Sequence, residues 1–125
     1  MNVLVAEDDK ITRDHAVVGL ENFGSFDVDV ATSAMSAIEM VGQKDYDFAL
    51  IGINPGDPAG TELLEDLRAR QVKMDVIVLA GDIIAKNMSR EKMHSNIFAF
   101  INKPIDPLHF HQTINRLKLR ILERK

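Results

Sequence analysis

The chain contains no cysteine and no tryptophan. The absence of cysteine excludes a disulfide framework and thiolate metal sites, and it is compatible with a reducing compartment. No apolar run approaches the roughly 20 residues that a membrane-spanning helix needs. The N-terminal run Val3-Leu4-Val5-Ala6 is followed at once by Glu7, Asp8 and Asp9. It lacks both the basic start and the long apolar stretch of a secretory signal, so the cytoplasm is the expected location. Positive charge is not in excess either: 15 Lys and Arg stand against 19 Asp and Glu, a net charge of −4. Nucleic acids and membrane surfaces call for clustered positive charge, and neither is an expected partner.

What remains is an ordinary soluble composition, 46% apolar and 27% charged over 125 residues. That is enough for one core and leaves no room for a second, so residues 1–125 read as one domain. Short continuous apolar runs alternate with segments of helical period, the pattern of βα repeats around a parallel sheet buried on both faces. Strands are predicted near residues 2–6, 26–31, 47–52, 75–80 and 97–101. In the second strand Val28 and Val30 alternate with acids, which suits a place near the sheet edge. Helices are predicted between and after the strands. Their inner faces are Ala16, Val17, Leu20 and Phe23 in the first, Ala34, Ala37, Ile38 and Val41 in the second, and Leu63, Leu64 and Leu67 in the third. A less regular helical stretch covers residues 83–94 with Ile84, Met88 and Met93. The last helix aligns Phe110, Ile114, Leu117 and Ile121. The count is five strands and five helices. The loop from Gly52 to Gly60 holds three glycines and two prolines, strong turn punctuation.

Four local patterns then fall in order: Val3 through Asp9, Ala31 through Val41, Gly60 through Arg68, and Phe100-Ile101-Asn102-Lys103-Pro104. Together they resemble the receiver domain of bacterial two-component response regulators across essentially the whole chain. The resemblance implies a flavodoxin-like doubly wound sheet of strand order 2-1-3-4-5, with its site at the carboxyl ends of the strands.

The family's chemistry is phosphoryl transfer to an aspartate, a reaction that depends on positioning and charge neutralisation. It implies an aspartate ending strand three, two acids after strand one that hold Mg²⁺, a hydroxyl after strand four and a lysine after strand five. Glu7 and Asp8 match the acid pair, Lys103 the lysine and Pro104 the proline behind it. Gly52 stands at the acceptor position and Ala80 at the hydroxyl position, so the two residues that make and read the phosphate are lost. The loop proline comes one position early, at Pro55.

The remaining candidates each have a plainer reading. Glu7 and Asp8 form an acidic pair partly neutralised by Lys103, with weak Mg²⁺ binding at best and no other cofactor expected. Asp57, in a Gly-Asp-Pro turn, is a candidate displaced acceptor but reads more simply as a turn residue facing solvent; Asp9 is a still weaker one. Phe100 matches the family's switch-like aromatic and reads as a half-buried ring. His15, His94, His109 and His111 show no ligand partners, and the methionines read as gap fillers or surface residues. The last helix carries a second apolar line, Leu108, Leu119 and Leu122, among Arg116, Lys118, Arg120 and Arg124. A helix apolar on two faces usually buries both. In the resembled family, dimers and effectors dock on the face made by the fourth and fifth helices and strand five. That last helix ends without a stop signal, as it would where the chain leads on into an output domain.

The resulting reading is a phosphorylation-independent, non-enzymatic signalling module that works through a protein partner or self-association. Its rival is a catalytically competent receiver phosphorylated at Asp57 or Asp9 with Mg²⁺. A nucleotide-sized ligand in the vacated pocket is the weakest reading, because no loop shows a glycine-rich phosphate cradle.

Overall fold

The computed structural model describes residues 1–81 and 96–124. Five strands form one parallel sheet in the order β2-β1-β3-β4-β5. They are β1 (Asn2–Ala6), β2 (Asp27–Ala31), β3 (Phe48–Gly52), β4 (Asp75–Ala80) and β5 (Ile97–Asn102). The predicted bounds hold to within one residue at each end. Four helices lie among the described residues: α1 (Lys10–Glu21), α2 (Ala34–Gln43), α3 (Ala59–Ala69) and α4 (Pro107–Glu123). The helical stretch predicted over residues 83–94 lies outside the described residues.

Alternation along the central strands divides the core into two layers. Leu4, Ala6, Ala49, Ile51, Val76, Val78 and Ala80 point to the side covered by α2 and α3, where Ala37, Leu63, Leu64 and Leu67 meet them. Val3, Val5, Phe48, Leu50, Ile77, Leu79 and Ile101 point to the other side, under Ala16 and Leu20 of α1 and Phe110, Ile114, Leu117 and Ile121 of α4. The helical stripes read from the sequence are therefore the ones that pack. However, Val17 of α1, Phe23 in the turn after it, and Ala34, Ile38 and Val41 of α2 are only half-buried, because those helices flank the edge half of the sheet. β2 is indeed an edge strand. Its Asp29 accepts hydrogen bonds from Tyr46 Oη (2.7 Å) and Lys44 Nζ (3.0 Å), and burial together with this carboxylate pushes the Tyr46 phenol up to about 12.

Helix starts are set by side-chain caps. Asp9, Ser33 and Asp106 each accept a backbone N–H of the first turn of α1, α2 and α4, and Pro107 opens α4 where no N–H is needed. β5 departs from simple pairing at one point: Val76 faces Ile97 and Ile77 faces Ala99, so Phe98 has no partner opposite and forms a bulge.

Candidate functional site

The carboxyl ends of β1, β3 and β5 converge, and the loops that follow them bring Glu7, Asp8, Asn54, Asp57 and Lys103 together. Glu7 is the centre. It follows β1 directly, and its side chain has no solvent exposure. Its Oε1 lies 2.5 Å from Lys103 Nζ, an ion pair rather than a directional hydrogen bond. Its Oε2 accepts from Asn54 Nδ2 at 2.9 Å and from the Asp9 backbone N–H at 3.3 Å.

Asn54 ties the set together. The same Nδ2 donates to Asp8 Oδ1 at 2.6 Å, while its Oδ1 accepts from Lys103 Nζ at 2.6 Å. Arg13, one turn into α1, donates to the carbonyls of Glu7 (3.2 Å) and Asp8 (3.3 Å) and so fixes the loop from behind. Neither Asn54 nor Arg13 was a candidate from the sequence. Asn54 sits in an Ile-Asn-Pro-Gly stretch that reads as turn punctuation, and nothing in its spacing marks it as a bridge between β1 and β5.

Gly52 ends β3 and is buried. A Cβ built there would lie 2.2 Å from Glu7 Oε1, 2.3 Å from its Cδ and 2.5 Å from its Oε2. The Glu7 carboxylate thus fills the space that any side chain at position 52 would need. The turn into α3 is equally tight, since a Cβ at Gly60 would lie 2.2 Å from the Gly52 carbonyl oxygen. The residual cleft beside Gly52 measures about 40 Å³, far below the several hundred Å³ typical of small-molecule sites.

The remaining acids divide by role. Asp9 Oδ2 accepts from Thr12 Oγ1 (2.6 Å) and Thr12 N (3.1 Å), and these bonds hold its carboxyl below the usual range. Asp57 is half-buried rather than turned fully to solvent. Its Oδ1 accepts from Ala59 N at 3.0 Å, and its carboxyl faces that of Asp8. Desolvation, and then the neighbouring Asp57, raise the Asp8 carboxyl above its ordinary value. Both oxygens of Glu7 are turned to protein partners, and among the described residues no three His, Asp or Glu side chains converge on a point that could hold a metal. As arranged, these residues do not fit Mg²⁺, which demands near-octahedral oxygen ligation.

Ala80 is buried at the end of β4, and its carbonyl accepts from Lys103 N at 3.1 Å. Phe100 is half-buried against the core layer that contains Ala80. Leu108, Leu119 and Leu122 are 65%, 51% and 49% exposed. None of the five takes part in the Glu7 network.

The family model for the response regulator receiver domain matches residues 3–115. The chain belongs to that family. Among curated relatives, this receiver domain is 32% identical over 93 residues to the transcriptional regulatory protein MalR of Bacillus subtilis strain 168, covering 70% of this chain and 40% of MalR. It is 32% identical over 81 residues to the cell cycle response regulator CtrA of Brucella ovis, covering 65% of this chain and 34% of CtrA. It thus spans half or less of these relatives. Among solved structures, the receiver domain of Francisella response regulator 1452 is 28% identical with a TM-score of 0.75, covering 95% of this chain and 97% of that one. A CheY-like receiver domain protein from Methanospirillum hungatei shares the fold, with a TM-score of 0.78 at 24% identity over 99% of this chain and 98% of that one.

Proposed function

We propose that this receiver domain signals without being phosphorylated, as a non-enzymatic interaction module of a two-component-type regulator. One observation carries the reading: the residue that closes β3 is a glycine, and the space its side chain would fill holds the Glu7 carboxylate. Phosphoryl transfer needs a nucleophilic oxygen at that point and a neutralising cation beside it. Gly52 offers no side-chain oxygen, and Lys103 is paired with Glu7 and Asn54. The displaced acceptors are not favoured, since Asp9 caps α1 and Asp57 caps the turn into α3.

The output is proposed to run through protein contact or self-association on the surface of α4 and β5, with the cytoplasm as its location. The exposed line Leu108, Leu119 and Leu122 supports that surface. The basic residues beside it support a protein over a nucleic acid. Arg116 and Arg120 lie over the Phe98 ring, Lys118 lies over Phe23 and Phe26, and Arg124 pairs with Asp75. The names of the relatives suggest a larger regulator around such a domain, and the attached output is part of the proposal.

The decisive experiment incubates the protein with acetyl phosphate and Mg²⁺ and measures the intact mass, with beryllofluoride titrated in parallel by amide chemical shifts. The mass and the shifts at Gly52, Ala80 and Lys103 are expected to stay unchanged. A phosphoryl adduct on any acid would overturn the reading.

A further inference from the structure

A glycine that a nearby side chain merely overlies differs from one whose missing side chain has been replaced. At Gly52 the overlying group is the end of a flexible glutamate, so sterics alone would let it swing aside. Charge holds it in place. The carboxylate has no exposed surface, one oxygen faces the Lys103 ammonium at 2.5 Å, and the other accepts from Asn54 at 2.9 Å. Turning Glu7 out would take the counter-charge from a partly buried ammonium and one of two acceptors from the Asn54 amide, an unfavourable state. The pocket is therefore a small anion site: a cation, an amide donor, a glycine wall and a carboxylate that the chain itself supplies.

We propose that Glu7 acts as the built-in anionic ligand of this pocket, excluding small carboxylates and oxyanions from Lys103 and Asn54 and withholding itself from divalent cations. The proposal rests on the reading that no phosphoryl group is made at Gly52, and extends it by naming what occupies the site instead. Two consequences follow from the same geometry. Removing the carboxylate exposes an anion site of formate size, with Lys103 and Asn54 facing the opening. Adding a Cβ at position 52 does the reverse, turning the intact Glu7 out toward Asp8, where two acids then meet a cation together.

The test is chemical rescue. Glu7→Ala and the parent are titrated with sodium formate against sodium chloride of equal ionic strength, following amide shifts and the thermal midpoint. The variant is expected to show saturable shifts at Gly52, Asn54 and Lys103 and a midpoint that rises with formate, while the parent shows neither. A parent that responds like the variant, or a variant that does not saturate, overturns the proposal. Should Glu7→Ala fail to fold, Gly52→Ala decides. It is expected to shift the Lys103 and Asn54 resonances and to gain Mn²⁺ broadening at Asp8 that the parent lacks, and Mn²⁺ broadening equal to the parent's overturns the proposal. Intact mass after acetyl phosphate separates the two levels. A phosphoryl adduct on the parent removes the reading of function, whereas a failed formate response with unchanged mass removes only the role of Glu7.

Discussion

A carboxylate with no exposed surface survives in a folded protein only among partners, and Glu7 has Lys103, Asn54 and the Asp9 amide. Lys103→Met keeps the bulk of the side chain and removes the charge, leaving the buried Glu7 carboxyl without its cation. Urea denaturation is expected to show a loss of about 3–5 kcal/mol, the scale for breaking one half of a buried pair. Asp8 behaves in the opposite sense. Its folded-state carboxyl is raised above the ordinary 3.8 by desolvation and by Asp57, so its ionisation weakens the fold as pH rises through that interval. Asp57→Asn keeps an oxygen for Ala59 N and removes the neighbouring acid. It is expected to stabilise the protein at neutral pH and to have no such effect well below pH 3.8, as read from thermal midpoints across a pH series. Gly52 and Ala80 were legible in the sequence because strand register fixes their places. The pairing of Glu7 with Lys103 was legible too, as the neutralisation of two close acids. That the Glu7 carboxylate would fill the space beside Gly52 and be bridged by Asn54 was not legible, because only the assembled loops bring those groups together.

Elements carry their own tests. In α4 the buried stripe expected from the sequence is present, but Thr113 is buried with it, and its Oγ1 has no hydrogen-bond partner among the described residues. Threonine and valine have the same shape, so Thr113→Val trades an unsatisfied hydroxyl for a methyl group. An increase in unfolding free energy of about 1–3 kcal/mol is expected by denaturant titration. Period and capping made the helices readable, since Asp9, Ser33 and Asp106 each stand just before an apolar stripe. The bulge at Phe98 was not readable, because Ile97 through Ile101 is apolar at every position and offers no alternation to betray a slip.

At the scale of the molecule, two layers of helices cover both faces of the sheet, and the acids Glu7, Asp8, Asp9 and Asp57 gather at the carboxyl ends of its strands. The basic residues Arg116, Lys118 and Arg120 belong to the far half of α4 and Arg124 caps its end, and Leu119 and Leu122 stand among them, about half exposed. If this surface is where output is made, Leu119→Ser with Leu122→Ser leaves the fold intact and weakens association. Sedimentation velocity over a concentration series, backed by circular dichroism, measures both. A parent that stays monomeric, with the double variant binding partners equally well, would assign the leucines to no interface.

The unpaired Phe98 works like half a wavelength inserted into β5. Upstream of it Ile97 answers to the α2 and α3 layer; downstream, Phe100 takes that side and Ile101 goes under α4. Strict alternation from Ile97 would have exchanged those two and carried Lys103 to the opposite side of the chain's path. Deleting one residue at 98–99 would absorb the bulge and leave Phe100, Ile101 and Lys103 on the sides they now hold, whereas straightening the strand with every residue kept would exchange them. The contact between Lys103 and Glu7 is thus a matter of phase, set five residues earlier by a ring that faces neither of them.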